Sequence, residues 1–579
     1  MAILGVDVGG TFTDAVVLDG GQVTTAKVLT AEHQEESVIA AALEAGAGRV
    51  ERFAHGTTVA TNALLERKGA RTAFVTNAGF EHLLHLRRQT RAHLYRPCEA
   101  WPEPLVPLDR CYGVTGRMGP QGELEPLRLE SLRQVDAEAV AVCLLHAYRD
   151  ASHEREVVEE LKRRLPDAHV VGSHEVAPEF REYERASTTA ADAYLGSVVS
   201  RYLGALSAAS TAAGLPEPLV MRSSGGVATP AEAAEHPATI LVSGPAAGVV
   251  GAARIAALAG IGDAIAFDMG GTSTDVCLIA GGRAGRTSER SIGGLPIRLP
   301  TVDLHTVGAG GGSIVWRDAG GALRVGPQSA GANPGPACYG RGGTAATVTD
   351  ANLLLGRLPE RLAGGVELDR AAAVRALAGV DPAAVVDVVN AEMLRALRVV
   401  SVERGHDPTG FALVAFGGAG PLHACELAEE LGMRTVLVPE VAGVLSALGL
   451  VASEERRDAV RSYLVPLAEA GELPREGEAD LRYQGQSFEL TVPLRNDLAD
   501  AFHRAHEDLY GFAEPERNIE LVAVRTAEVV HGPEIELSGS EPQGLAGPVL
   551  VELPGATVWV PEGWAGEADP HGTLVLRRA

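Results

Sequence analysis

The chain has 579 residues, 46% hydrophobic and 22% charged, which is the composition of a packed globular protein with several domains. Its formal net charge of −25 repels phosphate backbones and anionic lipids, so we expect neither nucleic acid nor a membrane as a partner. The six cysteines form no CxxC pair, and the N-terminus lacks the basic segment of a signal peptide. These features predict a soluble, cytoplasmic protein.

An internal repeat is the main feature of the sequence. Residues 7–14 read DVGGTFTD and residues 268–275 read DMGGTSTD, with six of the eight positions identical. Apolar residues precede and follow each copy, which predicts two β-hairpins with glycine-rich tips. Glycines at such a tip leave backbone N–H groups uncovered by any Cβ, as in loops that bind phosphate. One such hairpin would be an ordinary turn, but two matched copies favour a functional role.

A third glycine-rich turn lies further along the chain. Residues 415–424 read AFGGAGPLHA and follow the apolar segment 411–414. A helix is predicted from about Leu422 to Leu431, because Gly432 is a stop signal. A strand, a glycine turn and a helix N-terminus in succession are typical of a nucleotide-binding element.

The duplicated hairpin resembles the one in the superfamily of actin, hexokinase and the sugar kinases. The resemblance implies an α/β fold in which two duplicated actin-like ATPase domains, which are ribonuclease H-like, surround a nucleotide cleft. Each domain of that fold presents one hairpin to the phosphates of ATP, and Mg²⁺ lies between the leading carboxylates. The third turn then holds adenosine.

This resemblance assigns a role to each residue of the three motifs. Asp7 and Asp268 are the expected catalytic carboxylates and hold Mg²⁺ directly or through water. The expected phosphate-binding residues are Gly9, Gly10, Thr11, Thr13, Gly270, Gly271 and Thr272. The expected adenosine-binding residues are Gly417, Gly418 and Gly420. Asp14 and Asp275 either orient a metal-bound water or cap their own hairpins.

Longer strings resemble the hydantoinase A family, which includes the ATP-binding component of N-methylhydantoinase, the N-terminal half of 5-oxoprolinase and the ATP-binding subunit of acetone carboxylase. These strings are HGTTVATNALLERKGARTAFVTNAGF (55–80), PEFREYERASTTAADAYL (178–195), VDLHTVGAGGGSI (302–314) and GPQSAGANPGPACYGRGGTAATVTDANLLLGRL (326–358). The resemblance covers nearly the whole chain. Asp192 stands where the family usually has Asn, and the region between 464 and 480 is short for the family.

Membership of this family implies the ATP-binding subunit of an ATP-dependent cyclic amidohydrolase. Such an enzyme phosphorylates and opens a five-membered lactam or imide, of the hydantoin or 5-oxoproline class, together with a hydantoinase B-type subunit. The alternative within the family is the ATP-binding subunit of a ketone carboxylase. A nucleotide-switched binding or filament protein and a sugar-kinase-like phosphotransferase are further alternatives on the same fold.

Further catalytic residues are expected on the substrate side, at His55, Asp303 and His305, with less defined roles. His55 begins the HGTT segment and lies either at the cleft edge or in a structural position. In a strand, the DxH spacing of Asp303 and His305 would place both on one face, although two ligands do not make a metal site. The GAGGG run at 308–312 either contacts the nucleotide or is a flexible loop, and Cys338 is expected to be a buried thiol.

Three regions are predicted. Residues 1–190 carry the first hairpin, residues 191–460 carry the second hairpin and the adenosine turn, and residues 461–579 form a small β-rich domain. Helices are predicted at 153–165 and 387–404 from their apolar spacing. An Ala/Gly-rich helix after Ser243 is either an interdomain hinge or a packed core helix. The Gly- and Pro-rich segment 326–350 is a possible cleft lid.

Overall fold

The computed structural model describes residues 2–362, 366–539 and 544–578. The first part contains the strands β1 (Ile3–Val8), β2 (Phe12–Asp19), β3 (Gln22–Leu29), β4 (Arg52–Gly56), β5 (Thr72–Asn77), β6 (Cys111–Gly119), β7 (Gly122–Arg128), β8 (Ala139–Val142) and β9 (His169–Gly172). Its helices are α1 (Gln34–Glu44), α2 (Val59–Leu65), α3 (Leu83–Leu86), α4 (Ser152–Arg164), α5 (Ser173–Val176) and α6 (Glu182–Ala212).

The middle part contains the strands β10 (Pro218–Met221), β11 (Val227–Ala228), β12 (Ala264–Met269), β13 (Thr274–Ala280), β14 (Arg283–Ala284), β15 (Arg286–Thr287), β16 (Arg290–Ile292), β17 (Leu295–Ile297), β18 (Thr301–Val302), β19 (His305–Val307), β20 (Ser313–Arg317), β21 (Leu323–Ser329), β22 (Ala412–Phe416) and β23 (Thr435–Pro439). Its helices are α7 (Pro230–Glu235), α8 (Ser243–Leu258), α9 (Val348–Leu354), α10 (Arg370–Ala376), α11 (Pro382–Val400), α12 (Gly420–Glu430) and α13 (Leu445–Val451).

The last part contains the strands β24 (Glu455–Pro466), β25 (Glu478–Tyr483), β26 (Leu490–Pro493), β27 (Ile519–Val530), β28 (Leu545–Ala546), β29 (Val549–Leu553), β30 (Ala556–Val560), β31 (Trp564–Ala568) and β32 (Thr573–Arg578). One helix, α14 (Leu498–Tyr510), lies among the described residues of this part.

The two halves repeat one sheet topology, which confirms the predicted duplicated α/β fold. The first sheet contains the order β3-β2-β1-β4-β10, and the second contains the order β14-β13-β12-β22-β23. In each half the first two strands form the antiparallel hairpin, and the next strands are parallel to the first. Both hairpin tips follow the carboxyl end of the first strand, the edge where open α/β sheets bind ligands.

A smaller sheet is inserted into the first half between β4 and β10, with the order β7-β6-β5-β8-β9. The long helix α6 connects it to the first sheet. Its first turns bury Ala186 and Ala190 against the small sheet, whereas Tyr194 and Leu195 pack into the core beside the first sheet. One continuous helix therefore contributes to two hydrophobic cores.

The C-terminal region is β-rich, as predicted, but most of its strands divide between the two large sheets, and β29 and β30 pair in a two-stranded sheet of their own. Strands β24 to β27 extend the first sheet, where β24 pairs with β11. Strand β32 pairs with β23 and, with β31 and β28, extends the second sheet. The region therefore completes the sheets of both halves, and the boundary at residue 461 stays a prediction.

The predicted helices are present with small shifts. Those predicted at 153–165 and 387–404 correspond to α4 and α11, and the one expected from Leu422 begins two residues earlier as α12. Pro421 lies in the first turn of α12, where its missing N–H costs nothing. Among the described residues, no helix is long and apolar enough to cross a membrane.

Helices α8 and α13 pack together between the two large sheets at very close range. A Cβ added at Gly449 would lie 1.9 Å from the carbonyl oxygen of Ala247, a residue of α8. On the first sheet, a Cβ at Gly5 would lie 2.1 Å from the carbonyl oxygen of Ala447. Glycine is therefore required at both contacts. The predicted Ala/Gly-rich helix is α8, and its packing is compatible with both the hinge and the core interpretation.

We expect Gly449→Ala to destabilise the protein by about 3 kcal/mol, because its methyl group would overlap backbone that cannot move aside. Gly204→Ala is the matched control. It lies exposed within α6 and has free space around an added Cβ, so it should stabilise by about 0.5–1 kcal/mol. Urea unfolding measures both changes. Equal midpoints for the two variants would contradict the close packing of α8 and α13.

Candidate nucleotide and metal site

One cleft of about 530 Å³ lies between the two halves, and all three glycine-rich motifs border it. Its lining includes the tip residues Gly9, Gly10, Thr11, Gly270, Gly271 and Thr272, together with Gly417 and Gly418. A Cβ at Gly10, Gly271 or Gly418 would have no atom within 4 Å. The surfaces of the tips and of the third turn are therefore open to a ligand.

Two registers place four carboxylates at this cleft. Asp7 on β1 lies opposite Asp14 on β2, and Asp268 on β12 lies opposite Asp275 on β13. The Gly9 N–H donates to the Phe12 carbonyl at 2.9 Å, and the Gly270 N–H donates to the Ser273 carbonyl at 3.0 Å. These bonds close two equivalent turns. All four carboxylates border the cleft.

The Asp7 carboxylate occupies space that is available only because residues 56 and 244 are glycines. A Cβ at Gly56 would lie 2.5 Å from Asp7 Oδ1, and a Cβ at Gly244, in the first turn of α8, would lie 3.1 Å from it. Asp7 Oδ1 is buried and has no hydrogen-bond partner among the described residues. Burial and the nearby Asp14 raise the pKa of Asp7 to about 7. This carboxylate is therefore short of positive charge.

Asp268 has the corresponding environment in the second half. A Cβ at Gly417, which has φ +79°, would lie 2.2 Å from Asp268 Oδ1, so only glycine fits there. Burial raises the pKa of Asp268 to about 8, and repulsion from Asp275, Asp7 and Asp14 adds to the shift. The two leading carboxylates thus influence each other across the cleft.

A divalent cation fits these two carboxylates. Mg²⁺ is commonly bound through one or two carboxylates and keeps several waters. The unpartnered oxygen of Asp7 and the raised pKa values of Asp7 and Asp268 both indicate a place for positive charge. Among the described residues, no group of three or more His, Cys, Asp or Glu side chains is arranged to hold a metal ion. The site therefore suits a largely hydrated ion.

The two hairpins differ in the residue that faces the trailing carboxylate. Lys27 on β3 lies opposite Asp14 and forms an ion pair with it. In the second half, Thr306 lies opposite Asp275 and donates a hydrogen bond to its Oδ1 at 2.5 Å. Lys27 borders the cleft, as do Arg341 and Arg361. The trailing carboxylate is therefore paired directly with a cation in the first half, whereas in the second half it is bonded to a hydroxyl that itself accepts a hydrogen bond from Arg290.

Sequence reasoning missed Lys27 and the two arginines. Lys27 was detectable in principle, because the Gly20-Gly21 turn sets β3 against β2 and brings residue 27 opposite residue 14. Arg341 lies in the Gly- and Pro-rich segment 326–350, from which Gly331 and Tyr339 also border the cleft. No local pattern marks Arg341 or Arg361 as cleft residues.

The GAGGG loop supports the second hairpin. The Gly311 N–H donates to the Gly270 carbonyl at 3.0 Å, and the Gly312 N–H donates to the Gly271 carbonyl at 2.7 Å. A Cβ at Gly310 would lie 2.6 Å from the Thr272 nitrogen. Gly311 and Gly312 also border the cleft. The loop is thus backbone packed directly onto the hairpin tip, which excludes the flexible-loop interpretation.

His55 is a correction to the sequence analysis. Its side chain is fully buried and does not border the cleft. Nδ1 lies 3.1 Å from the Val6 carbonyl and Nε2 lies 2.8 Å from the Tyr202 hydroxyl. Burial lowers the pKa of His55 to about 4, so the neutral ring donates through Nδ1 and accepts from Tyr202. His55 is therefore a structural residue that ties β1 and β4 to α6.

Asp303 and His305 are also corrections. Asp303 lies between β18 and β19, so the two residues do not share a strand face. Asp303 forms an ion pair with Arg404, and one of its hydrogen bonds to that guanidinium is 3.1 Å long. His305 lies opposite Val276 at the edge of β13. Neither residue borders the cleft.

Thr13 and Gly420 do not border the cleft either. The Thr13 hydroxyl is buried within hydrogen-bond distance of the Thr30 and Ser37 hydroxyls, at 3.1 and 3.2 Å. Strand alternation directs it away from the tip face. Gly420 begins α12 against β12, where an added Cβ would lie 3.4 Å from the Met269 nitrogen. Both residues pack against the hairpins on the side away from the cleft. Cys338 is a buried thiol, as expected, and burial raises its pKa.

The buried His55 predicts a pH-dependent stability. The unfolded histidine binds a proton below about pH 6.5, whereas the folded ring does so only near pH 4. Stability should therefore fall as the pH decreases through this window, by up to about 3 kcal/mol from this residue. Urea unfolding at pH 7, 6 and 5 should show a shallower fall for His55→Gln than for the wild type. His33→Gln, at an exposed side chain, is the control. Equal slopes for wild type and His55→Gln would contradict this assignment.

Comparison with known proteins identifies the family. A model described as hydantoinase/oxoprolinase matches residues 185–459, and one described as the hydantoinase/oxoprolinase N-terminal region matches residues 3–165. The caprolactamase alpha subunit of Pseudomonas jessenii is 33% identical over 99% of this chain and 98% of that protein. The acetone carboxylase beta subunit of Xanthobacter autotrophicus is 30% identical over 78% of this chain and 69% of that protein.

The structural comparison agrees. The crystal structure of ATP-dependent caprolactamase from Pseudomonas jessenii matches this chain with a TM-score of 0.88 and 30% identity, covering 100% of both chains. Sequence and fold therefore lead to the same conclusion. The chain belongs to the hydantoinase/oxoprolinase family.

Proposed function

We propose that this chain is the ATP-binding subunit of an Mg²⁺-dependent enzyme that phosphorylates and opens a cyclic amide. The observation that carries the proposal is the meeting of two glycine hairpin tips and four carboxylates in one cleft. The similarity to the ATP-dependent caprolactamase supports both the nucleotide and the amide chemistry. The five-membered ring of the hydantoin or 5-oxoproline class is the finer part of the proposal.

The chemistry needs a way to activate an unreactive carbonyl. The ring nitrogen donates electrons into the amide carbonyl, which resists attack by water. Transfer of the γ-phosphoryl group of ATP to the amide oxygen releases ADP and makes the carbon electrophilic. Water then adds to that carbon, and the C–N bond breaks as the nitrogen takes a proton, which leaves an acyl phosphate. A second water attacks the acyl phosphate and releases phosphate and the carboxylate. The sum is ATP, cyclic amide and two waters giving ADP, phosphate and the open-chain acid.

The residues of this chain would act by positioning and by charge. Gly10 and Gly271 line the cleft with open space where a Cβ would lie, so their backbone N–H groups would be free to orient phosphate oxygens. Lys27 would offset negative charge on the first-hairpin side. Asp7 and Asp268 would hold Mg²⁺. When bound, Mg²⁺ supplies charge that neutralises the phosphate oxygens.

A second, partner polypeptide is part of the proposal. Outside the cleft carboxylates, the described residues offer no metal cluster for activating water, and His55, Asp303 and His305 lie away from the cleft. Two relatives are themselves named as subunits, caprolactamase alpha and acetone carboxylase beta. We therefore propose that a hydantoinase B-type subunit completes the enzyme, in the cytoplasm.

The test is product analysis with the purified chain, alone and with its B-type partner. ATP is supplied with hydantoin, 5-oxoproline or caprolactam, and ADP and ring-opened product are measured. One-to-one formation of both, only with the partner present, is the expected result. Ring opening without ATP would refute the proposal. Full coupled activity of the isolated chain would refute the need for a partner.

Ketone carboxylation is the second candidate, favoured by the similarity to the acetone carboxylase beta subunit. The same assay distinguishes it when acetone and isotopically labelled bicarbonate replace the amide. Incorporation of label into an acidic product, with no lactam opening, would establish carboxylation in place of hydrolysis.

Asp7→Asn and Asp268→Asn should each reduce Mg²⁺-dependent ATP turnover by about 10²-fold or more, because each removes a charge facing the metal. Their folds should remain intact. Both carboxyl pKa values are raised by burial, so at pH 8 without Mg²⁺ the neutral amides should melt no lower than the wild type. Turnover with the partner and thermal melting provide the two measurements. Turnover equal to wild type in either variant would contradict its role.

Gly418→Val should weaken ATP binding, because its side chain would fill cleft space beside the third turn. Gly410→Val is the matched control, since Gly410 also has free space around an added Cβ but lies outside the cleft. Isothermal titration with a non-hydrolysable ATP analogue should give at least a 10-fold higher Kd for Gly418→Val only. An unchanged Kd would show that the turn does not contact the nucleotide.

A further inference from the structure

A chain of four hydrogen-bonded polar side chains, of which Asn352 and His423 are buried, ends at the cleft. It begins at Glu426 on α12, continues through Asn390 on α11 and His423 on α12, and ends at Asn352 on α9. His423 is fully buried and Asn352 is 1% exposed. Of these four residues only Asn352 borders the cleft. The proposed mechanism uses none of them.

The donor and the acceptor of each hydrogen bond in this chain follow from Glu426, its first residue. Glu426 forms an ion pair with Arg357, with N–O distances of 3.1 and 2.7 Å, and its ionised carboxylate can only accept. Asn390 Nδ2 therefore donates to Glu426 Oε2 at 3.0 Å. The carbonyl oxygen of Asn390 is then left to face His423.

His423 then determines which atom of the Asn352 carboxamide faces it. Its Nδ1 lies 2.7 Å from Asn390 Oδ1, an acceptor, so Nδ1 carries the proton. Burial lowers the pKa of His423 to about 3, and the neutral ring carries no second proton. Nε2 is therefore an acceptor and takes a hydrogen bond from Asn352 Nδ2 at 3.3 Å. The carboxamide of Asn352 cannot flip without placing two acceptors together.

Asn352 Oδ1 is left as a buried acceptor with no hydrogen-bond partner among the described residues. An unsatisfied buried polar atom destabilises a protein, so a chain of hydrogen bonds that leaves Asn352 Oδ1 without a partner needs an explanation. A ligand that donates a hydrogen bond to this oxygen would offset the cost.

The surroundings indicate which part of a nucleotide this is. Leu358, Pro359 and Leu422 line the cleft with Asn352 and give an apolar wall, whereas the hairpin tips that face phosphates belong to other segments. His423 directly follows Leu422, in the helix that begins at the third glycine turn. Apolar lining residues together with a few placed polar groups are typical of a site for a flat, polar-edged ring.

We propose that Asn352 reads the nucleobase and selects adenine, through a hydrogen bond from the exocyclic amine of adenine to Asn352 Oδ1. Guanine carries a carbonyl oxygen at the equivalent position, which would face the fixed acceptor. This inference rests on the proposed ATP-binding function and adds the residue that determines base specificity. Glu426, Asn390 and His423 act as positioning residues.

The first experiment uses the wild-type protein and analogues. Isothermal titration compares ATP, GTP and purine riboside triphosphate, which lacks only the exocyclic amine. The expected result is that the purine analogue binds about 10-fold more weakly than ATP and that GTP binds more weakly still. Equal affinity for ATP and the purine analogue overturns the inference while leaving ATP binding intact. Absence of binding by any nucleotide refutes the proposed function itself and the inference with it.

The second experiment uses the variant Asn352→Leu, which keeps similar volume and removes the acceptor. Its affinity for ATP should fall to that for the purine analogue, so the 10-fold ratio should become about 1. Asn62→Leu, on α2 away from the cleft, is the control and should keep the wild-type ratio. Retention of the ratio in a folded Asn352→Leu protein overturns the inference. A loss confined to discrimination between ATP and 2′-deoxy-ATP would place the ribose at Asn352 and overturn base reading.

Discussion

The structure depends on burying four carboxylates around one cleft. Burial raises the pKa values of Asp7, Asp14, Asp268 and Asp275, and repulsion from neighbouring carboxylates adds to the shifts of Asp7 and Asp268. Such an arrangement is costly in the absence of compensating cations. Lys27 offsets part of the negative charge by forming an ion pair with Asp14. Among the described residues, the charge on the leading carboxylates, Asp7 and Asp268, is not compensated by such an ion pair. This uncompensated negative charge supports the proposed binding of Mg²⁺ together with ATP.

The duplicated backbone creates this arrangement, whereas the residues that support the two hairpins differ. Both halves use the same hairpin register and the same closing turn bond, so the backbone places two aspartate pairs in equivalent positions. The supports differ. The first tip is held by Thr30, whose N–H donates to the Thr11 carbonyl at 3.0 Å, and is flanked by a cation. The second tip is held by the GAGGG backbone and flanked by a hydroxyl.

Close backbone approach is the second condition for the site. The carboxylates of Asp7 and Asp268 occupy space that a side chain at Gly56, Gly244 or Gly417 would take. The same rule operates at Gly449 and Gly5, where α13 meets α8 and β1. These glycines let two sheets and two helices converge on one small volume. The high glycine content, 68 of 579 residues, is in part a consequence of that convergence.

The sequence by itself determined the duplicated fold, the family and the cleft-facing tips of the three glycine motifs. Those features depend on local patterns, namely apolar strands, tip glycines and a helix start, and a repeat makes the patterns recognisable. Only the tertiary structure decided the remainder. The sequence predicts catalytic roles for His55, Asp303 and His305. In the structure, His55 is buried, Asp303 forms an ion pair, and none of the three borders the cleft. Strand pairing brings Lys27 to the cleft, and loop placement brings Arg341 there. The orientation of the Asn352 carboxamide depends on Glu426, 74 residues away in the chain. Such roles arise from contacts between distant segments, which no local pattern of residues encodes.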